Sequence, residues 1–296
     1  MKSVDKSALA VVLAGMASTA LGELEGVCPE RLALADTGIE GMEELSRAFG
    51  PFADAFSEHT GLDIEFFAVS DRTAAATALR YDEVDLVLAG PSEYAVIEAR
   101  QDIDIVFGLE RDEYGTRFMV PASSSAESLP DLSGKRVALG SVASTTNHIV
   151  PSWMLVEAGL DIDRDIDLVM AGDARIRALA NGDVDALGGG YRDVEVLERI
   201  APDFEYRVIA DSGTMPRDPI IARSGLGSEC IEGIRSVVEA HSDTLFEAFV
   251  APAEAEGDDE AQERSKYLGA RFVFDVTDDE YDLIREAYEI VGLSLN

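Results

Sequence analysis

The sequence predicts an α/β protein of two lobes with a cleft between them. Two blocks of alternating strand and helix, residues 31–88 and 137–188, each carry the pattern that builds a parallel sheet with helices on its faces. Each block is followed by two more short strands, 103–109 with 116–120 and 206–210 with 218–222, which read as crossings between units. At 296 residues the chain also exceeds the roughly 250 residues at which a single core stops growing. Two similar stretches, VDLVLAG ending at Gly90 and VDALGGG ending at Gly190, indicate that both units are built alike.

In order, Arg31–Asp36 (RLALAD) is a short apolar strand closing on Thr37-Gly38. Residues 42–59 repeat apolar side chains at helical spacing, with a break expected at Gly50-Pro51. A strand over 62–69, a helix capped by Ser70 or Asp71 and running to 79, and a strand over 84–88 complete the first block. Ligands of such sheets sit beyond the carboxyl ends of the strands, here Thr37-Gly38, Ser70-Asp71-Arg72 and residues 90–94. After the first crossing comes a loop of small residues over 121–125. The second block reads as strand 137–139, helix 146–158, strand 167–171, helix 173–181 and strand 184–188. Beyond the second crossing the chain is helical to about residue 249, acidic over 254–262, and an amphipathic helix over 278–290. The lobes then divide as 30–118 with 221–296, and 119–220.

The charge is lopsided: 24 Lys and Arg against 58 Asp and Glu, a formal net of −34. No basic run exists to neutralise phosphates, so nucleic acid is not an expected partner. The acidity serves solubility or a halophilic setting, where screening shortens to about 3 Å at 1 M salt and self-repulsion becomes tolerable. Residues 1–20 resemble an export signal peptide, with Lys2 and Lys6, an apolar run over 8–16, and small residues up to Ala20. That run is shorter than the roughly 20 residues needed to cross a bilayer, and an uncleaved buried helix is the alternative. Met16 stands where a lipoprotein signal would place cysteine, so no lipid anchor is expected. Cys28 and Cys230 permit one disulfide or two buried thiols. His59, His148 and His241 lie far apart in sequence, and no metal site is expected.

Ser144, Thr145 and Thr146 fall between the strand at 137–139 and the following helix. A helix presents unpaired N–H groups and the positive end of its dipole at such a place. One hydroxyl would suffice as a cap; three in a row suit a small anion. A hydrolase would pair Ser144 with His148 one turn on, but the stretch lacks the G-x-S-x-G elbow and a third orienting group. Gly188-Gly189-Gly190 lets a backbone approach closely and is not followed by the Lys-Ser/Thr of a phosphate-cradling P-loop. Lys135 and Lys266, the only lysines beyond the leader, are not placed for a Schiff base.

The stretches EVDLVLAGPSEYAV, LPDLSGKRVALGSVASTTNHIVPSWML, LANGDVDALGGG and MPRDPIIAR, within residues 32–240, resemble the substrate-binding proteins of phosphate, phosphite and phosphonate ABC transporters. The resemblance implies a type II periplasmic binding protein: two α/β lobes joined by a two-strand hinge, with the ligand cleft between them. It implies a monomeric, cofactor-free, non-enzymatic carrier in the periplasm or outside the cell, with an ABC permease as partner. A sensor serving a signalling partner, or a hydrolase or transferase on the same fold, is the alternative. Carried onto this chain, Ser144, Thr145 and Thr146 would hold the oxyanion, Tyr94 would contact the ligand and Asp185 would lie near the pocket. The strand-end residue Thr37 and the second-turn His148 complete the candidate set. Two departures concern charge: Arg72 stands where the family often has a tyrosine, and Arg175 where binders of amine-bearing phosphonates use a carboxylate. Arginine forks match carboxylates and phosphates, so a ligand with extra negative charge is expected and an aminoalkyl phosphonate is expected to bind poorly.

Overall fold

The computed structural model describes residues 24–38, 41–69, 74–255, 267 and 269–295. The expected signal peptide, Lys266 and Arg72 lie outside the described residues. Two sheets form the two lobes. The first contains β1 (Arg31–Asp36), β2 (Asp63–Phe66), β3 (Leu86–Leu88), β4 (Ile103–Glu110), β10 (Asp218–Arg223) and β11 (Arg271–Val273), in the order β11-β4-β10-β3-β1-β2. The second contains β5 (Thr116–Pro121), β6 (Arg136–Leu139), β7 (Asp167–Met170), β8 (Ala186–Gly190) and β9 (Tyr206–Asp211), in the order β7-β6-β8-β5-β9.

The lobes share one plan. In each, three parallel strands (β2-β1-β3 and β7-β6-β8) are extended by an antiparallel strand, β10 or β5. The VD pair common to both blocks serves the same end: Asp85 Oδ2 accepts the N–H of Ala33 and Asp185 Oδ2 accepts the N–H of Arg136, each tying one strand's start to its neighbour. Boundaries at 118/119 and 220/221 would cut β5 and β10. By sheet membership the chain crosses at 111–115 and 212–217. These two segments run side by side, with Met215 N–H donating to Tyr114 O (2.8 Å) and Ser212 N–H to Thr116 O (2.9 Å).

Helices cover the sheets: α1 (Met42–Thr60), α2 (Ala74–Arg80), α3 (Pro91–Glu98), α4 (Val150–Glu157), α5 (Ala174–Asn181), α6 (Arg192–Ile200), α7 (Ser228–Ala240), α8 (Ser242–Ala255) and α9 (Asp282–Val291). The break expected at Gly50-Pro51 does not occur, and α1 runs through Pro51. Pro51 is exposed, so the carbonyl deprived of its donor meets water. On the opposite face Phe49, Phe52 and Phe56 are buried, and the resulting aromatic packing against Phe249 and Phe272 outweighs the proline's roughly 3 kcal/mol. α3, for which the sequence reading assigned no element, starts with Pro91 at the first helical position, where its missing N–H is not needed. α9 packs on both α3 and α4, so the last helix spans the two lobes.

Cys28 and Cys230 form a disulfide that ties the segment before β1 to α7. Of the two possibilities open from sequence, the bond is the one realised. No described helix is long and apolar enough to cross a membrane.

Candidate ligand-binding cleft

Residues that follow β1, β3, β6 and β8 line a cleft of about 960 Å³ between the lobes, together with Arg111, Glu113, Tyr114 and Gly115 of the first crossing. The turn after β6 places Ala143 in the left-handed region, at φ 66°. Two bonds hold it there: Ala143 N–H donates to His148 Nδ1 (3.1 Å), and Ala143 O accepts from Ser92 Oγ (2.7 Å). The helix then opens with a wide π turn over Thr145–Ile149, in which the N–H groups of His148 and Ile149 both donate to Ser144 O. The N–H groups of Thr145, Thr146 and Asn147 belong to this first turn and have no acceptor within the helix.

Ser144, Thr145 and Thr146 are all buried and all line the cleft, but they are not equivalent. Thr145 Oγ1 accepts the N–H of Ser92 (3.1 Å) and lies 2.7 Å from Ser92 Oγ. The single hydroxyl proton of Ser92 is directed at two acceptors, Ala143 O (2.7 Å) and Glu93 Oε2 (3.0 Å), so Thr145 is the donor to Ser92. Thr145 therefore braces the helix start of one lobe against α3 of the other. Ser144 and Thr146 are the other two hydroxyls of the run in the cleft wall.

Arg175 lines the cleft yet does not present its charge there as expected. Its Nε and Nη2 donate to the two carboxylate oxygens of Asp193 (2.9 and 2.7 Å), and Nη1 to Gly172 O (2.8 Å). Both side chains are more than nine-tenths buried. Burial raises the Asp193 carboxyl above its ordinary pKa, with the Arg175 charge working the other way. Gly189 is what lets the pair sit so close to β8, because a Cβ there would lie 1.9 Å from Asp193 Oδ2. The charge reversal read from Arg175 is thus cancelled locally.

Thr37 is in the cleft wall, where its hydroxyl reaches Leu88 O (3.4 Å) and its N–H bonds the same carbonyl (3.1 Å), joining the ends of β1 and β3. Three other expected residues stand away from the described cleft lining. Tyr94 points to the opposite side of α3, packs its ring at a tilt against Tyr281 and donates to Asp278 Oδ1 (2.7 Å). Asp185 sits at the start of β8, at the wrong end of the strand for the cleft, half-exposed beside Arg136. His148 is held below its ordinary pKa by burial, and its neutral ring serves as the acceptor that fixes the Ala143 turn.

Sequence reading passed over several lining residues. Asp36 closes β1 and accepts from Tyr267 Oη (3.2 Å); its place at a strand end was the available signal. Arg111 and Asp218 flank the two crossings and form an ion pair (2.7 Å), with the Arg111 guanidinium 3.3 Å above the Tyr114 ring. Glu93, in the first turn of α3, and Arg192, first in α6, also face the cleft. The described lining carries four arginines and eight carboxylates, so its formal charge balance is negative.

A family model described as "ABC transporter, phosphonate, periplasmic substrate-binding protein" matches residues 39–264. The phosphate-import protein PhnD of Mycolicibacterium smegmatis is 24% identical over 286 residues, covering 89% of this chain and 87% of that protein. The structure of PhnD1 from Prochlorococcus marinus in complex with methylphosphonate superposes with a TM-score of 0.68 at 18% identity, covering 89% of this chain and 99% of that one. The periplasmic aliphatic sulphonate binding protein SsuA of Escherichia coli has the same fold, with a TM-score of 0.60 at 16% identity over 89% of this chain and 87% of its own. With its two-sheet architecture and interlobe cleft, the chain belongs to the family of periplasmic substrate-binding proteins of phosphonate ABC transporters.

Proposed function

We propose that this protein captures a small phosphate-, phosphite- or phosphonate-type oxyanion between its lobes and delivers it to an ABC permease, as an exported monomeric carrier and not an enzyme. The observation that carries the reading is the hydroxyl-rich helix start, Ser144 to Thr146, in the wall of the interlobe cleft. Ser144 Oγ, Thr146 Oγ1 and the first-turn N–H groups are the donors it would use, and the helix dipole favours the charge. Closure of the lobes about the two crossing segments removes water and strengthens each bond. Because Asp193 neutralises Arg175, a second anionic group on the ligand is not required. The net charge of −34 suits an environment of high salt, where repulsion of an approaching anion is screened.

Thermal unfolding measured against phosphate, phosphite, methylphosphonate and sulfate tests the reading. A ligand at 100 times its Kd stabilises by about 2.7 kcal/mol, easily seen as a rise in Tm. Ser144→Ala with Thr146→Val should abolish the rise while leaving the unliganded Tm close to that of the parent. No rise with any of the phosphorus oxyanions refutes the proposal.

A further inference from the structure

The turn that leads into the hydroxyl run depends on a bond that only a neutral histidine can accept. Ala143 stands at φ 66°, in the left-handed region that an alanine occupies only when something holds it there. Its N–H donates to His148 Nδ1 at 3.1 Å. Accepting that bond fixes the tautomer: Nδ1 carries the lone pair and Nε2 the proton. The ring can then gain a proton only at Nδ1, the atom that Ala143 uses, and two N–H groups would face each other. His148 is thus tied to the loop through the one atom that titrates. It is half-buried and stands outside the described cleft lining, so it acts on a ligand through the loop and not by contact. The elements packed against its turn are α3, α4, α9 and β8. β8 carries no charged residue, whereas α3 carries Glu93 and Glu98, α4 Glu157, and α9 Asp282, Arg285, Glu286 and Glu289. Arg285 pairs with Glu98, Asp278 and Asp282, and Tyr94 and Tyr288 are pushed above their ordinary pKa by burial and stay neutral. Burial is what holds the His148 ring below its ordinary 6.5.

Resting on the oxyanion capture proposed above, we propose that His148 is a positioning residue whose protonation releases the Ala143 turn and loosens the Ser144–Thr146 donors, so that the cleft holds its anion in neutral medium and gives it up in acid. The second tie, from Ser92 Oγ to Ala143 O at 2.7 Å, stays in place and limits the loss to part of the affinity. The linkage has a definite sign. A histidine whose folded pKa is lowered contributes stabilisation that is present above the ordinary 6.5 and lost as pH falls through the folded pKa. The Coulomb effect of the new charge is opposite, since a cation near the cleft attracts an anion. The direction of the pH effect therefore separates a positioning role from the mere presence of a charge.

Calorimetric titration of the full chain with phosphate and with methylphosphonate, from about pH 7.5 to about pH 5, tests this on wild type, His148→Asn and His148→Leu. Asn Oδ1 is as many bonds from Cβ as His Nδ1 is, so it keeps the acceptor and cannot be protonated in this range. The titration of the anion itself is common to all three proteins and cancels in the ratio of their Kd values at one pH. Wild type and His148→Asn should agree within about threefold at about pH 7.5, and wild type should bind about 10-fold more weakly than His148→Asn at about pH 5, as for one lost hydrogen bond. His148→Leu, which lacks the acceptor at every pH, should bind about 10-fold more weakly than wild type in neutral medium. By reciprocity, phosphate should lower the midpoint of the His148 ring titration, followed by NMR, by about one pH unit. A constant ratio of wild type to His148→Asn, a wild type that tightens relative to it in acid, or a His148→Leu protein as tight as wild type in neutral medium overturns the inference and leaves oxyanion capture intact. If neither variant folds, the ring titration of wild type decides, and a midpoint unmoved by phosphate overturns the inference. Failure of wild type to bind either anion in neutral medium overturns the oxyanion-binding function as well.

Discussion

Replacing Arg175 by methionine separates a structural from a ligand-binding role for the cleft arginine. The guanidinium and the Asp193 carboxylate share two parallel bonds of 2.9 and 2.7 Å, both groups being more than nine-tenths buried, and Gly172 O takes a third. Breaking a buried pair by removing one partner costs about 3–5 kcal/mol, because the other charge is left without compensation. Asp193 already has a raised pKa from burial, and losing Arg175 raises it further. A carboxyl whose folded pKa exceeds its unfolded value contributes stability at low pH that is lost as pH rises through the folded pKa. The variant should therefore be hurt more at about pH 8 than at about pH 5, and Asp193→Asn in the same chain should restore much of the loss. Urea unfolding followed by Trp153, the single tryptophan, reports on the second lobe where the pair lies. An Arg175→Met protein of unchanged stability that loses ligand affinity tenfold or more would refute this reasoning and return the arginine to the ligand.

The disulfide closes 202 residues of chain, worth about 5 kcal/mol at most on the chain-entropy account, so Cys28→Ser with Cys230→Ser, or added reductant, should lower Tm markedly; an unchanged melt would contradict the bond's role. Gly189→Ala puts a methyl 1.9 Å from Asp193 Oδ2 and should cost about 1–3 kcal/mol in urea unfolding, with no loss counting against the packing argument. Burial works to raise the Asp278 pKa, but hydrogen bonds from Tyr94 and Arg285 outweigh it and leave the carboxyl below its ordinary 3.8. Its stabilisation is present above that value and lost as pH falls through the folded pKa, so Asp278→Asn should show a shallower fall in Tm from about pH 5 to about pH 2 than wild type; parallel curves would exclude the effect. Phosphate affinity should rise from about 10 mM to about 200 mM of an inert salt as long-range repulsion is screened, and a steady fall instead would mean that local attraction dominates at every distance.

Much of this architecture was legible because it rests on local pattern. Strand cores such as Val137-Ala138-Leu139 are fully buried and read as such, and the VD-turn repeat announced two lobes of one plan. The hydroxyl loop was legible for the same reason, being a strand end followed at once by a helix. What escaped depends on distance in sequence. Nothing near Arg175 indicates that Asp193, 18 residues on, will neutralise it. Nothing near Tyr94 points to Asp278, 184 residues away. Tyr94 and Glu93 are adjacent on α3 and a helix turns successive side chains about 100° apart, so if one faces the core the other can face the cleft. Reading 90–94 only as a strand end hid that choice, and with it Glu93 in the cleft lining.

Holding an anion in a protein of net charge −34 is then a matter of donor count. A micromolar Kd needs about 8 kcal/mol, and the helix start supplies at most about 2 when partly buried. Hydrogen bonds to a charged group add about 1.5–3 kcal/mol each, so roughly two to four well-aimed donors must converge beyond the dipole, before the cost of ordering them. The Ser144 and Thr146 hydroxyls with the first-turn N–H groups meet that number only if the loop is rigid beforehand. Its rigidity is supplied by bonds within the protein: His148 and Ser92 fix Ala143 from two sides, and the Thr145 hydroxyl bonds Ser92 of the opposite lobe. The middle member of the hydroxyl run thus ties the helix start to α3, and on the function proposed above that brace holds Ser144 and Thr146 in place for the ligand.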